Sequence, residues 1–302
     1  MLEDRLNAKG AVLIEGPKWY GKTTTAKKFA KSFISMDKPD MAKQYQQMAE
    51  FSPNTLLEGQ TPRLIDEWPI APNLWNAVRY EVDNRDVFGQ FILTGSAVPE
   101  EFNDFMHTGT GRISRLLMRP MSLYESKDST GHVSLKELFE GKDISSIDET
   151  TLEEIAFLIC RGGWPKAIGL DRKPALFQAV DYYDAVVSTD ISRVDSVKRD
   201  KENAKRLLKS YARHVGTQSS LETIRKDLLS NQSDTFNQVT LYSYLEALRK
   251  IFVIEDSPAW TPNLRYKTSI RTTDTRYFSD PSIAAAALGI LHSRTYYTKV
   301  TS

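Results

Sequence analysis

The sequence predicts an α/β fold: a parallel sheet with helices, then a helical segment, then a part patterned as three helices and a hairpin. Three observations carry this. Ala11-Val12-Leu13-Ile14-Glu15 is apolar and partly β-branched, as a buried strand is, and Gly16-Pro17-Lys18-Trp19-Tyr20-Gly21-Lys22-Thr23 follows directly. A helical pattern with Ala26, Phe29, Ala30 and Phe33 comes next, so a glycine-containing loop joins strand to helix. Two further short apolar runs, Arg63-Leu64-Ile65-Asp66-Glu67 and Phe91-Ile92-Leu93-Thr94-Gly95-Ser96, suit neighbouring buried strands.

The loop fits G-x-x-x-x-G-K-[ST] in its required strand–loop–helix context. Its glycines let backbone N–H groups curl toward phosphate oxygens, and the helix N-terminus adds partial positive charge. Gly16, Pro17, Lys18, Trp19, Tyr20, Gly21, Lys22, Thr23 and Thr24 are therefore the candidate nucleotide-binding residues. Lys22 would reach the β- and γ-phosphates, and the Thr23 hydroxyl would bind Mg²⁺. Asp66 and Glu67 end the next apolar run, where Asp66 would hold Mg²⁺ and Glu67 would orient the attacking water. At the tip of the run after that, Thr94 or Ser96 could sense the γ-phosphate. Arg112, Arg115 and Arg119 surround a short strand at Leu116-Leu117-Met118, and one of them, Arg112 first, could spread charge off a transferring phosphoryl group. Gly109-Thr110-Gly111 is not a dinucleotide loop, because Ser114 stands where G-x-G-x-x-G needs glycine.

Composition narrows the alternatives. The chain has 302 residues, with 40 basic and 39 acidic side chains, so no global field points to nucleic acid or membrane. The single cysteine, Cys160, excludes an intramolecular disulfide, and the four histidines lie far apart. No apolar run approaches a membrane span and no signal-peptide pattern opens the chain, so a cytoplasmic protein is expected.

The remaining elements follow in order. Residues 1–10 are polar, and Ser32 to Asp37 suits a second strand. Lys38 to Gln60 has a helical look, and Asn73 to Asp83 is an amphipathic helix with Leu74, Trp75, Val78 and Val82 on one side. Composition shifts near Ser126, which bounds an N-terminal domain of residues 1–125. Leu135–Phe139, Thr151–Cys160 and Phe177–Ser188 suit helices of a lid over residues 126–200, with a sharp turn at Arg161-Gly162-Gly163-Trp164-Pro165. Residues 201–302 pattern as three helices, strands at 252–254 and 276–278 around the Pro258-Ala259-Trp260-Thr261-Pro262 loop, and an apolar helix over 284–291. That order resembles a winged helix-turn-helix. Lys198, Lys201, Lys205 and Lys209 make a basic stripe on its first helix, taken as a solvated face, so nucleic acid is a partner not favoured.

Together these residues resemble the bacterial and archaeal AAA+-like P-loop ATPases whose nucleotide domain precedes a C-terminal domain of unknown function. The resemblance rests on GPKWYGKT, PRLIDEW, GQFILTGSA, GTGRISRLLMRPMSLYES, RGGWPKAI and YFSDPSIAAAALG, from about Gly10 to Leu288. It implies an ATP-dependent regulator or remodeller acting on an unidentified protein, adenine over guanine, a winged-helix region and a possible homo-oligomer. Family members carry more residues before the first strand. They also continue into a restriction-endonuclease-like fold with an acid and then Glu-x-Lys. Here the chain ends at Ser302, with only Glu125-x-Lys127 and Glu140-x-Lys142 present, so a truncated member is expected. Two other functions compete with an ATPase: a nucleotide-gated binding module without useful turnover, and a DNA-binding regulator.

Overall fold

The computed structural model describes residues 1–96, 109–195, 197–229, 236–259 and 273–290. The Trp260-Thr261-Pro262 part of the expected loop and the end of the expected last helix at Leu291 lie outside them. Compactness divides the chain into two units. The first unit is Met1–Arg119 with residues 191–198 and 247–252, and the second comprises the rest.

The first unit opens with α1 (Leu2–Leu6), which the polar look of residues 1–10 concealed; its Leu2 and Leu6 are buried. Then come β1 (Ala11–Glu15), α2 (Lys22–Phe29), β2 (Ser32–Ser35), α3 (Ala42–Phe51) and α4 (Pro53–Leu57). β3 (Arg63–Asp66), α5 (Leu74–Arg85), β4 (Phe91–Gly95) and β5 (Ile113–Leu117) complete it. The five strands pair in parallel in the order β2-β3-β4-β1-β5, so β4 is inserted between β1 and β3. The three inner strands β1, β3 and β4 are buried on both faces, which is why their sequences are largely apolar, whereas the edge strands β2 and β5 are only partly buried and carry Ser32, Ser35, Ser114 and Arg115. Side chains alternate across the pleat: Leu13, Ile65 and Leu93 enter one core with Trp68, Trp75 and Val78. Val12, Ile14, Leu64 and Ile92 enter the other with Ala26 and α1. Each such side chain contributes about 1.5–3 kcal/mol by leaving water. This framework brings the C-terminal ends of β1, β3 and β4 to one edge, the edge that the loop after β1 covers.

In the second unit, α6 (Leu135–Phe139) starts at a Ser134 cap, and α7 (Leu152–Arg161) starts at Thr151, whose capping box with Glu154 is complete. α8 (Arg172–Ala185) runs into a π-helical turn at Val186–Asp190. After the short α9 (Ile191–Arg193) of the first unit come α10 (Lys201–Arg213), α11 (Leu221–Leu229), α12 (Gln238–Lys250) and α13 (Pro281–Ala287). The expected strands reduce to two antiparallel bridges, Ile254 with Phe278 and Ser257 with Thr275. α13 packs on α7, α8 and α10. Asp280 caps α13 through the Ser282 N–H at 2.9 Å, and its other oxygen accepts the Gly163 N–H at 2.8 Å. The Trp164 indole N–H donates to Ser282 Oγ at 2.9 Å. The turn after α7 is thus held by the start of α13, and Gly162, at φ 71°, leaves no room there for a Cβ, which would stand 2.3 Å from Asp280 Oδ1.

Candidate functional site

At the edge of the first unit the chain leaves β1 through Gly16, whose φ of 141° suits glycine. A Cβ there would meet the Met118 carbonyl oxygen at 2.3 Å, so the loop begins pressed against the end of β5. Trp19 also has a positive φ, 67°, and Gly21, at φ 87°, turns the chain into the first turn of α2. Within this curl Lys22 is buried, and its Nζ donates to the carbonyls of Gly16 at 2.8 Å and Pro17 at 2.6 Å. Burial pushes the Lys22 amine down to about 8, against the opposing pull of the Glu67 and Asp66 carboxylates. Tyr20 is buried while Trp19 is exposed.

Three side chains from three elements meet on one oxygen. Thr23 Oγ1, from α2, donates to Asp66 Oδ1 at 2.7 Å, and Thr94 Oγ1, from β4, donates to the same oxygen at 2.5 Å. Thr94 is fully buried and Asp66 nearly so. The insertion of β4 beside β3 explains the meeting, because parallel pairing puts both strand tips at one level. Of the two hydroxyls at the end of β4, Thr94 reaches the carboxylate.

Glu67 follows with a left-handed backbone, φ 51° and ψ 45°, an uncommon conformation for a residue with a side chain. Burial raises its carboxyl above the usual range. Asp66 and Asp37 add to that, while Lys22 and Lys18 oppose it. Beyond it, Trp68–Ile70 form a 3₁₀ turn whose Trp68 ring is buried 5.3 Å from that of Trp75. The turn lies on Gly95: a Cβ there would stand 3.0 Å from Pro69 Cγ and 3.2 Å from Trp68 Nε1. Gly95 therefore permits a close approach and not only a turn.

The three arginines separate. Arg112 precedes β5, exposed and donating to Asp83 Oδ1 at 2.8 Å. Because Ile113 pairs with Ala11 at the start of β1, Arg112 lies at the opposite edge of the sheet, a strand length of roughly 17 Å from the loop. It does not join the site of its own chain, since five residues of parallel register separate it from the strand tips. Arg115 pairs with Glu15 at 3.6 Å. Arg119 lies just past the end of β5, exposed and next to Met118, whose carbonyl abuts Gly16.

Asp37 was not among the candidates from sequence. It stands just beyond β2, with its carboxylate accepting from Ser35 Oγ at 2.6 Å, and Ser35 pairs with Asp66 in the sheet. An acid directly after an apolar run was the available signal. Among the described residues no group of three or more His, Cys, Asp or Glu side chains forms a metal cage.

Residues 8–127 match a family described as "AAA domain", and residues 152–294 match a "Domain of unknown function (DUF8612)". No curated protein sequence matches the chain. Among solved structures, the chain is similar to a Walker-type ATPase of Pyrococcus abyssi at 16% identity and TM-score 0.54, covering 95% of this chain and 93% of that one. It also aligns with a DNA replication initiation factor at 16% identity, over 83% of this chain and 86% of that one, but at TM-score 0.29 this has no bearing on the fold. No helix among the described residues is long and apolar enough to cross a membrane. The parallel α/β sheet and the likeness of fold agree with the AAA-domain match over residues 8–127, which is followed by the match to a domain of unknown function over residues 152–294.

Proposed function

We propose that the protein binds ATP with Mg²⁺ and hydrolyses it, coupling turnover to a regulatory or remodelling role on a protein partner. The observation that carries this is the convergence of Thr23 and Thr94 on Asp66 Oδ1, with Lys22 and Glu67 beside it. A hydroxyl and a carboxylate are hard oxygen ligands, and Mg²⁺ bound with nucleotide takes only one or two such groups, leaving its other positions to water and phosphate. Thr23 and Asp66 would hold it, and it would supply neutralising charge at the β- and γ-phosphates.

The chain's own groups do the rest. Lys22 leaves the Gly16 and Pro17 carbonyls and takes phosphate oxygens in their place. Glu67, with its carboxyl raised by burial, accepts the proton of the attacking water as it adds to the γ-phosphorus and ADP leaves. Thr94 holds the Asp66 carboxylate in orientation. Arg119, and not Arg112, supplies arginine charge at the phosphate edge from within the chain. The test is single-turnover hydrolysis beside equilibrium binding of a fluorescent ATP analogue. Hydrolysis that vanishes on chelating Mg²⁺ is expected; binding without any hydrolysis would replace the enzyme with a nucleotide-gated binder.

Gly95→Ala probes how Glu67 is aimed. The added methyl presses on Pro69 and Trp68 and shifts the turn that follows Glu67. Misplacement of a reacting group by about 1 Å can cost about 100-fold in rate. Turnover is expected to fall about 10-fold or more with nucleotide affinity nearly unchanged. Equal turnover in the variant and the parent protein would show that this contact does not aim Glu67.

A further inference from the structure

The balanced net charge of the chain conceals a local asymmetry. Residues 137–154 carry seven acids and one lysine. α10, by contrast, carries Lys201, Lys205, Arg206, Lys209 and Arg213 against the single acid Glu202. Its buried face is Ala204, Leu207, Leu208, Tyr211 and Ala212, so the helix can point its cations only outward. Lys201, Lys205, Lys209 and Arg213 are exposed and Arg206 is half-buried. Lys201, Lys205 and Lys209 recur every fourth residue, about 6 Å apart along the axis.

Beside this row, α10 and α11 enclose a concavity of about 220 Å³ lined by Arg206, Lys209, Ser210, Arg213, Asp227 and Leu228. Its guanidinium groups are held in place. Arg206 Nη2 donates to the Leu228 carbonyl at 2.6 Å, which anchors one of its five N–H groups. Arg213 Nη1 donates to Asp227 at 3.1 Å, and Ser210 Oγ donates to the same carboxylate at 2.7 Å. Three cations against one carboxylate leave this hollow positive, and Lys201 extends the charge along the helix, with Lys205 paired to Glu202 at 2.8 Å between them.

We propose that the outer face of α10 is a docking surface for the phosphate backbone of duplex nucleic acid, bound without reading sequence. Phosphate contacts position a protein without specifying bases, and a row of lysines with preset arginines is suited to that task. A single strand is the weaker match, because such sites use exposed aromatic rings as stacking platforms and the only aromatic of α10, Tyr211, is buried. The proposal is independent of ATP hydrolysis.

The test is fluorescence anisotropy of the full chain with a labelled random-sequence duplex of about 20 base pairs over a salt series. Five phosphate contacts predict a slope of about −4.5 in log affinity against log salt. The triple variant Lys201→Glu, Lys205→Glu, Lys209→Glu should lose about 100-fold or more in affinity at the lowest salt and flatten the slope. All three side chains are exposed, and unchanged circular dichroism would verify the fold. Absence of duplex binding at low salt, or equal binding by the verified triple variant, would overturn the assignment. A poly-glutamate of matched charge binding as tightly as the duplex would do the same, because the face would then be a general polyanion surface.

Discussion

Glu67→Gln is expected to bind ATP as tightly as the parent protein while turnover falls by roughly 100-fold or more, the scale of a lost general base. The substitution keeps the size of the side chain and its hydrogen-bonding reach, so the left-handed backbone at φ 51° and the Trp68 turn behind it have no cause to move. What goes is the carboxylate that burial has made more basic than usual. Asp66 still receives Thr23 and Thr94, and Lys22 still stands in the loop. Asp66→Asn should behave differently, weakening Mg²⁺-dependent binding and hydrolysis together, because it removes charge from the atom on which both hydroxyls converge. Single-turnover hydrolysis with equilibrium binding, run on both variants, separates the two. Equal hydrolysis by Glu67→Gln and the parent would assign the water to another group. A parent without hydrolysis would instead leave the binder.

Lys22→Ala is the second large effect. In the free protein the amine already bridges the Gly16 and Pro17 carbonyls inside the loop, and burial lowers its pKa to about 8. Terminal phosphates would replace both carbonyls as acceptors and restore full charge to the amine. A hydrogen bond to a charged group is worth about 1.5–3 kcal/mol, so losing even one weakens binding roughly 10- to 100-fold. Titration with a fluorescent ATP analogue should show at least that loss, and unchanged affinity would remove Lys22 from the phosphate site. Lys18→Ala should cost less, since its position in the motif is variable and it stands only half-buried.

The local chemistry was legible in the chain itself. A loop that must curl around phosphate needs glycines at fixed spacing from its lysine and threonine, and that spacing is a property of adjacent residues. The apolar runs at Ala11–Glu15, Arg63–Asp66 and Phe91–Gly95 became strands because residues buried on both faces admit little polar content. The cap at Thr151 is equally local: its side-chain oxygen accepts the Glu154 N–H three residues on.

Tertiary structure decided what depends on register and strand order. Nothing between positions 66 and 94 says that Asp66 and Thr94 touch; the insertion of β4 beside β3 does. Arg112 and Arg119 look equivalent as arginines flanking one strand, yet a parallel strand sends its two ends to opposite edges of the sheet. Arg119 therefore follows the strand end whose Met118 carbonyl abuts Gly16, and Arg112 lies with Asp83. That the Trp68–Pro69 turn rests on Gly95 is likewise a product of packing. The net charge of +1 is a sum over the whole chain, whereas the field a partner meets is set by which face of α10 is buried. Contacts between residues far apart in sequence come from packing, and packing alone turned neighbouring motifs into one site.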